Sequence, residues 1–193
     1  MRLTVPLLLT FGRIVVIPLV VVLLLLREPW ADHVATVLFG LAAITDWLDG
    51  RLARRWNQTT RFGAFLDPVA DKLLVAVSLV MLLYAHPTAP LAALVAIIIG
   101  REITISALRE WLAEIGQRFR VAVNYIGKFK TAAQMLAIGF MMWGTPVGRF
   151  APWSAGYVLL FIAAVLTLWS MTVYLRAAWP YMHAESRSPG DPS

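Results

Sequence analysis

Residues 44–72 read "ITDWLDGRLARRWNQTTRFGAFLDPVADK". They hold Asp46, Asp49, Asp67 and Asp71, four of the eleven acidic residues in the chain, with no Glu among them. Their surroundings are apolar: 60% of the 193 residues are hydrophobic and the mean hydropathy is +0.72. A lone carboxylate in hydrocarbon is costly. Four of one length, gathered at one place, call for water and a positive partner.

The apolar runs around them are too long for a soluble core. Leu7–Leu26 carries one charge and Ala155–Tyr174 none. Each is long enough to cross a hydrocarbon layer of roughly 30 Å as a helix. Further candidate spans lie at about 33–55, 67–86, 90–112 and 126–144. The expectation is an all-α integral membrane protein with six transmembrane helices and a polar, metal-binding cavity at the cytoplasmic side. Residues 1–180 form one membrane domain in this reading, and 181–193 a disordered cytoplasmic tail. The first apolar run is too long for the core of a signal peptide and lacks a small-residue cleavage site, so it counts as a span. With no cysteine, thiolate catalysis, disulfides and cysteine-based zinc sites are excluded.

A net charge of +6 and a pI near 10.2 could suggest nucleic acid, but the distribution argues otherwise. With the N-terminus inside, the inner segments carry fifteen of the seventeen Lys and Arg, and the outer loops only Arg27 and Arg149. That bias places both termini in the cytoplasm. It also suits contact with anionic lipid. Nucleic acid is not an expected partner.

Spacing then assembles the acids. Asp46, Asp49, Gly50 and Ala53 recur at i, i+3, i+4 and i+7, one helix face. Gly63, Asp67 and Asp71 recur at i, i+4 and i+8, again one face. A loop of about a dozen residues between the helices would make them antiparallel neighbours. Asp46 would then lie roughly 20 Å from the outer end of its span, at 1.5 Å per residue, and below the inner surface. Converging carboxylates repel one another and shift toward protonation. Two divalent cations, Mg²⁺ or Mn²⁺, relieve this, since both favour carboxylate oxygen and serve phosphate chemistry. Gly50, Ala53 and Gly63 leave room for a ligand, and Arg54 and Arg61 can pair with phosphate. Pairing of Asp46 and Asp49 with Arg51, Arg54 or Arg55 would explain one carboxylate, but not four beside three small residues.

The pattern Asp46-x-x-Asp49-Gly50-x-x-Ala53-Arg54, eight residues, then Gly63-x-x-x-Asp67-x-x-x-Asp71 resembles, at every position, the signature of the CDP-alcohol phosphotransferase family. The resemblance implies six transmembrane helices, a homodimer and a two-metal site at the cytoplasmic surface of a bacterial inner membrane. It implies transfer of a substituted phosphate from a CDP-linked donor to an alcohol, with release of CMP. Asp46, Asp49, Asp67 and Asp71 are then the expected metal ligands, and Asp71 also takes the proton of the attacking hydroxyl. Asp49, Gly50, Ala53, Arg54, Thr60 and Gly63 are the expected CDP-diacylglycerol contacts.

Other segments narrow the acceptor. "LTFGRIVVIP" (9–18), "GREITISALREW" (100–111) and "GKFKTAAQM" (127–135) resemble the branch of the family that uses sn-glycerol 3-phosphate. The implied reaction joins the phosphatidyl group of CDP-diacylglycerol to that acceptor, giving phosphatidylglycerophosphate. Arg101 and Arg109, eight apart on a helix, with Lys128 and Lys130 at the start of the next span, fit an acceptor that carries its own phosphate. Positive-inside topology and Arg–Glu pairing are the bland alternative for these four. Arg13, with Pro18, reads as a snorkelling residue beside a kink. His33, His86 and His183 lie near ends and outer loops, away from the acids.

An inositol phosphate acceptor would suit the same basic residues. A membrane prenyltransferase would need a longer chain with two distant Asp-rich motifs. A divalent-cation transporter would need polar residues through the outer half of the membrane, and these spans offer none.

Overall fold

The computed structural model contains six α-helices: α1 (Val5–Leu26), α2 (Pro29–Trp56), α3 (Arg61–Ala85), α4 (Ala89–Glu114), α5 (Asn124–Trp143) and α6 (Pro152–Glu185). It describes residues 5–56, 61–115 and 124–185, without the side chains of 5–7, 46–56, 61, 64, 124–129 and 181–185. Most of the expected tail, 181–193, therefore lies outside the described residues.

Turn chemistry sets several helix ends. Only Arg27 and Glu28 separate α1 from α2; Arg27 takes φ 54°, and Pro29 opens α2 where an N–H would have no helical partner. Pro90 occupies the first turn of α4 for the same reason. Between α5 and α6, Gly144 and Gly148 hold φ near 66° and 61°, values that favour glycine. Reciprocal backbone bonds of 3.0 Å between Val147 and Phe150 close that turn.

The packing order differs in one respect from the sequence expectation. α1 packs on α2 and α3, α2 on α5, α3 also on α4 and α5, α4 on α6, and α5 most extensively on α6. Among the described residues, α2 and α3 thus meet through their shared neighbours α1 and α5 more than directly. The link between them is residues 57–60, not a dozen residues. The stretch "RLARRW" is helical, with Leu, Ala and Arg strong helix formers, and α2 ends at Trp56, while α3 begins at Arg61, six residues before its candidate span.

The surface is inverted relative to a soluble protein. On α6, Phe161, Val165, Leu168 and Trp169 are exposed, whereas Ala163, Ala164, Thr167 and Ser170 are buried. On α1, Val15 is 66% exposed while Thr10 and Arg13 are 1% and 3% exposed. Small and polar groups inside, with large apolar groups outside, is the arrangement hydrocarbon solvent favours. Among the described residues, four helices are long and apolar enough to span: Leu8–Leu26, Phe65–Ala85, Ala89–Glu114 and Pro152–Pro180. The expectation of six spans is met in helix number; the fully described stretches of α2 (29–45) and α5 (130–143) are each shorter than a span.

Candidate active site

Polar contacts sort to the two ends of the bundle. At one end, His33 of α2 meets Thr145 at 2.8 Å, His86 stacks on Trp153 and Arg27 lies over the Tyr84 ring. A cavity of about 230 Å³ opens there, lined by Arg27, Asp32, His86 and apolar side chains. It has a single carboxylate and no contact with the aspartate motif, so it is not the candidate site. The other end holds the early turns of α1 and α3 and the later turns of α4 and α6.

At that end, α3 presents Gly63, which is buried, and Asp67 and Asp71 one turn apart. Thr10 of α1 donates to Asp67 Oδ1, and Arg13 NH1 donates to Asp71 Oδ1 at 2.5 Å. The two pairs run in the same order along both chains, so α1 and α3 are locally parallel. Three residues on one helix match four on the other, rises of about 4.5 and 6 Å. Arg13 is therefore not a snorkelling residue: its side chain is 2% exposed and ion-paired to Asp71, whose own side chain is 34% exposed. A charge this deep in an apolar helix stays inside because its partner is inside. α1 is a continuous helix through Pro18.

Asp46, Asp49, Gly50, Ala53 and Arg54 all lie on α2, so their helical spacing holds for the backbone; their side chains are outside the described residues. Thr60 is outside them altogether. Among the described residues no group of three metal-binding side chains assembles, which leaves Asp67 and Asp71 as the described half of the acidic set. Their chemistry fits a divalent cation. Both are carboxylates on successive turns, and each is oriented by a donor from α1, as ligating carboxylates commonly are.

A second cluster lies among α4, α5 and α6. Arg101 NH1 donates to Glu102 Oε2 at 2.9 Å and NH2 to Ser170 Oγ at 2.6 Å. Lys130 Nζ stands 3.9 Å from the same Glu102 oxygen. Both cations are buried, Arg101 to 9% side-chain exposure and Lys130 to 6%, against 42% for Glu102. Arg101 Nε and Thr167 Oγ1 are buried with no hydrogen-bond partner. Two buried cations on one carboxylate, with donors to spare, suit an anion. Lys72, next to Asp71 in sequence, donates to Ser106 Oγ of α4 at 2.5 Å, and Ser106 donates to the Glu102 carbonyl oxygen at 2.7 Å.

Among the described residues, Arg109 shares no hydrogen bond with this cluster. It is exposed and lies 4.9 Å over the Tyr174 ring, donating to its hydroxyl at 2.8 Å. The eight-residue spacing from Arg101 is close to two turns but drifts on a 3.6-residue helix, and Tyr174 captures the guanidinium. The Lys128 side chain is outside the described residues. Sequence reading passed over Thr10, Ser170 and Tyr174 altogether; two polar residues three apart inside "LTFGRIVVIP" were the available signal for Thr10 and Arg13.

Residues 3–169 match the CDP-alcohol phosphatidyltransferase family. The chain belongs to that family. Among its relatives, the CDP-diacylglycerol–glycerol-3-phosphate 3-phosphatidyltransferase of Salmonella choleraesuis (strain SC-B67) is 52% identical over 180 residues, covering 92% of this chain and 96% of the relative. The protein of the same name from Escherichia coli (strain K12) is 51% identical over 180 residues, with the same coverage of each.

Proposed function

We propose that this chain transfers the phosphatidyl group of CDP-diacylglycerol to sn-glycerol 3-phosphate, giving phosphatidylglycerophosphate and CMP. The observation that carries the reading is near full-length similarity to relatives bearing that activity in their names. The buried cations Arg101 and Lys130, with Asp67 and Asp71 at the same end of the bundle, support it. The proposal places the reaction at the cytoplasmic face of a bacterial inner membrane, in a six-span homodimer with both termini inside.

In this reading Asp46, Asp49, Asp67 and Asp71 hold two divalent cations, Mg²⁺ or Mn²⁺. Such ions would neutralise charge on the transferred phosphate and on departing CMP. Gly50, Ala53 and Gly63 leave space for the nucleotide, with Asp49, Arg54 and Thr60 as its polar contacts. Arg101, Lys128 and Lys130 hold the acceptor phosphate, with Arg109, exposed over Tyr174, adding charge from outside. The acceptor hydroxyl oxygen attacks the phosphorus carrying the diacylglycerol. Its bond to that phosphorus forms as the bond to CMP breaks, and its proton passes to Asp71.

The test is CMP release by the purified chain from CDP-diacylglycerol with glycerol 3-phosphate, inositol phosphate, serine or no acceptor. Release that depends on glycerol 3-phosphate, and falls about 100- to 10,000-fold in Asp71→Asn, is expected. Equal release with inositol phosphate would reassign the acceptor. Near-normal turnover of Asp71→Asn would remove that residue from the base role.

A further inference from the structure

Thr10 and Arg13 are the most buried polar residues of α1 among those described, at 1% and 3% exposure, and both end on the aspartate pair of α3. Nothing about membrane insertion calls for them. A span with Val or Leu at both positions would be more apolar and cheaper to bury. What they supply is a donor to each of Asp67 and Asp71.

We propose that Thr10 and Arg13 are positioning residues, an outer shell that fixes the two α3 carboxylates for cation binding. Each engages the Oδ1 atom of one aspartate, which restricts the rotation of that carboxylate about its stem. The parallel run of α1 and α3 lets one helix face serve both, i and i+3 against i and i+4. Arg13 cannot swing to water, because its whole side chain is enclosed. Its single positive charge does not cancel four carboxylates, so the site stays attractive to cations while one acid is held in register. This inference rests on the divalent-cation reading of the aspartate motif given above.

Mn²⁺ titration of the purified, metal-free full chain, with free Mn²⁺ followed by electron paramagnetic resonance, separates the two. Thr10→Val keeps the side-chain shape and removes the hydroxyl. Its Mn²⁺ affinity should fall about tenfold to a hundredfold, the usual effect of losing a partner that orients a metal ligand. Thr10→Ser should restore most of that loss, and metal-free thermal melts of all three proteins should nearly coincide. Arg13→Gln should weaken Mn²⁺ binding similarly, with Arg13→Lys between it and the wild type. Wild-type binding with unchanged affinity in Thr10→Val and Arg13→Gln would overturn the positioning role and leave the cation reading standing. Lost affinity that Thr10→Ser does not restore would also overturn it, since the hydroxyl would then not be the cause. No Mn²⁺ binding by the wild type would sink the cation reading itself.

Discussion

A guanidinium buried to 9% exposure with one N–H unsatisfied differs in kind from one spread over a tyrosine ring at the surface. Arg101 and Arg109 look equivalent in sequence, eight residues apart in "GREITISALREW", but their environments separate them. Charge-assisted hydrogen bonds to a buried phosphate are worth roughly 1.5–3 kcal/mol, so Arg101→Lys should cost about tenfold to a hundredfold in kcat/KM for glycerol 3-phosphate. Lys keeps the charge but loses the fork that now joins Glu102 to Ser170. Arg109→Lys should cost much less, because an exposed cation is screened and competes with water. Acceptor kinetics at saturating CDP-diacylglycerol check both. Equal losses would mean that Arg109 leaves Tyr174 when the acceptor binds. At this scale the residue types and their chemistry were legible in the chain, while burial and partner were not. Arg13 shows the limit: one Arg in an apolar run reads as snorkelling until its carboxylate partner, 58 positions away, is seen beside it.

Helix identity was the most legible level, because unbroken apolar runs in a chain without cysteine leave few alternatives. What holds the helices together was less so. The α5–α6 pair packs most extensively at a point no motif marks. A Cβ added at Gly156 would lie 2.7 Å from the Ala137 carbonyl oxygen and 2.7 Å from Met141 Cγ. The Met141 side chain can shift, but the Ala137 backbone cannot without moving α5. Gly156→Ala should therefore lower stability by about 1–3 kcal/mol, the usual cost of overpacking. Gly139→Ala, on α5 with nothing within 4 Å of its Cβ, is the matched control and should melt at or slightly above the wild type, since Ala favours a helix over Gly. Thermal melts in detergent compare the two. A neutral Gly156→Ala would mean that the helices separate at little cost. The loop expected between the two acidic helices is shorter because α3 begins at Arg61, so that the stretch "RFGAFL" ahead of its candidate span is already helical.

Orientation belongs to the whole molecule. Short links alternate the helices, so the aspartate end and the His33–Thr145 end are opposite faces, and from the Lys and Arg bias we expect the first at the cytoplasm. The absence of cysteine makes this testable without background. Thr88→Cys, in the α3–α4 link, should react with a membrane-impermeant maleimide on intact cells. Ser188→Cys, in the tail, should react only after permeabilisation. The reverse pattern would invert the molecule and put the aspartates outside.

Composition and spacing by themselves pointed to a helical chain with membrane-length apolar runs and four aspartates at helical spacing. Those properties are local or additive: a periodic face, a hydrophobic length and a sum of charges can each be read along the chain. The tertiary structure alone decided that α1 supplies the partners of Asp67 and Asp71, that α1 and α5 lie between the acidic helices, and that Arg101 but not Arg109 is enclosed with Lys130. Each of these depends on which helix faces pack together, and in lipid that choice rests on close fit and paired polar groups rather than on hydrophobicity, which every face here has in abundance.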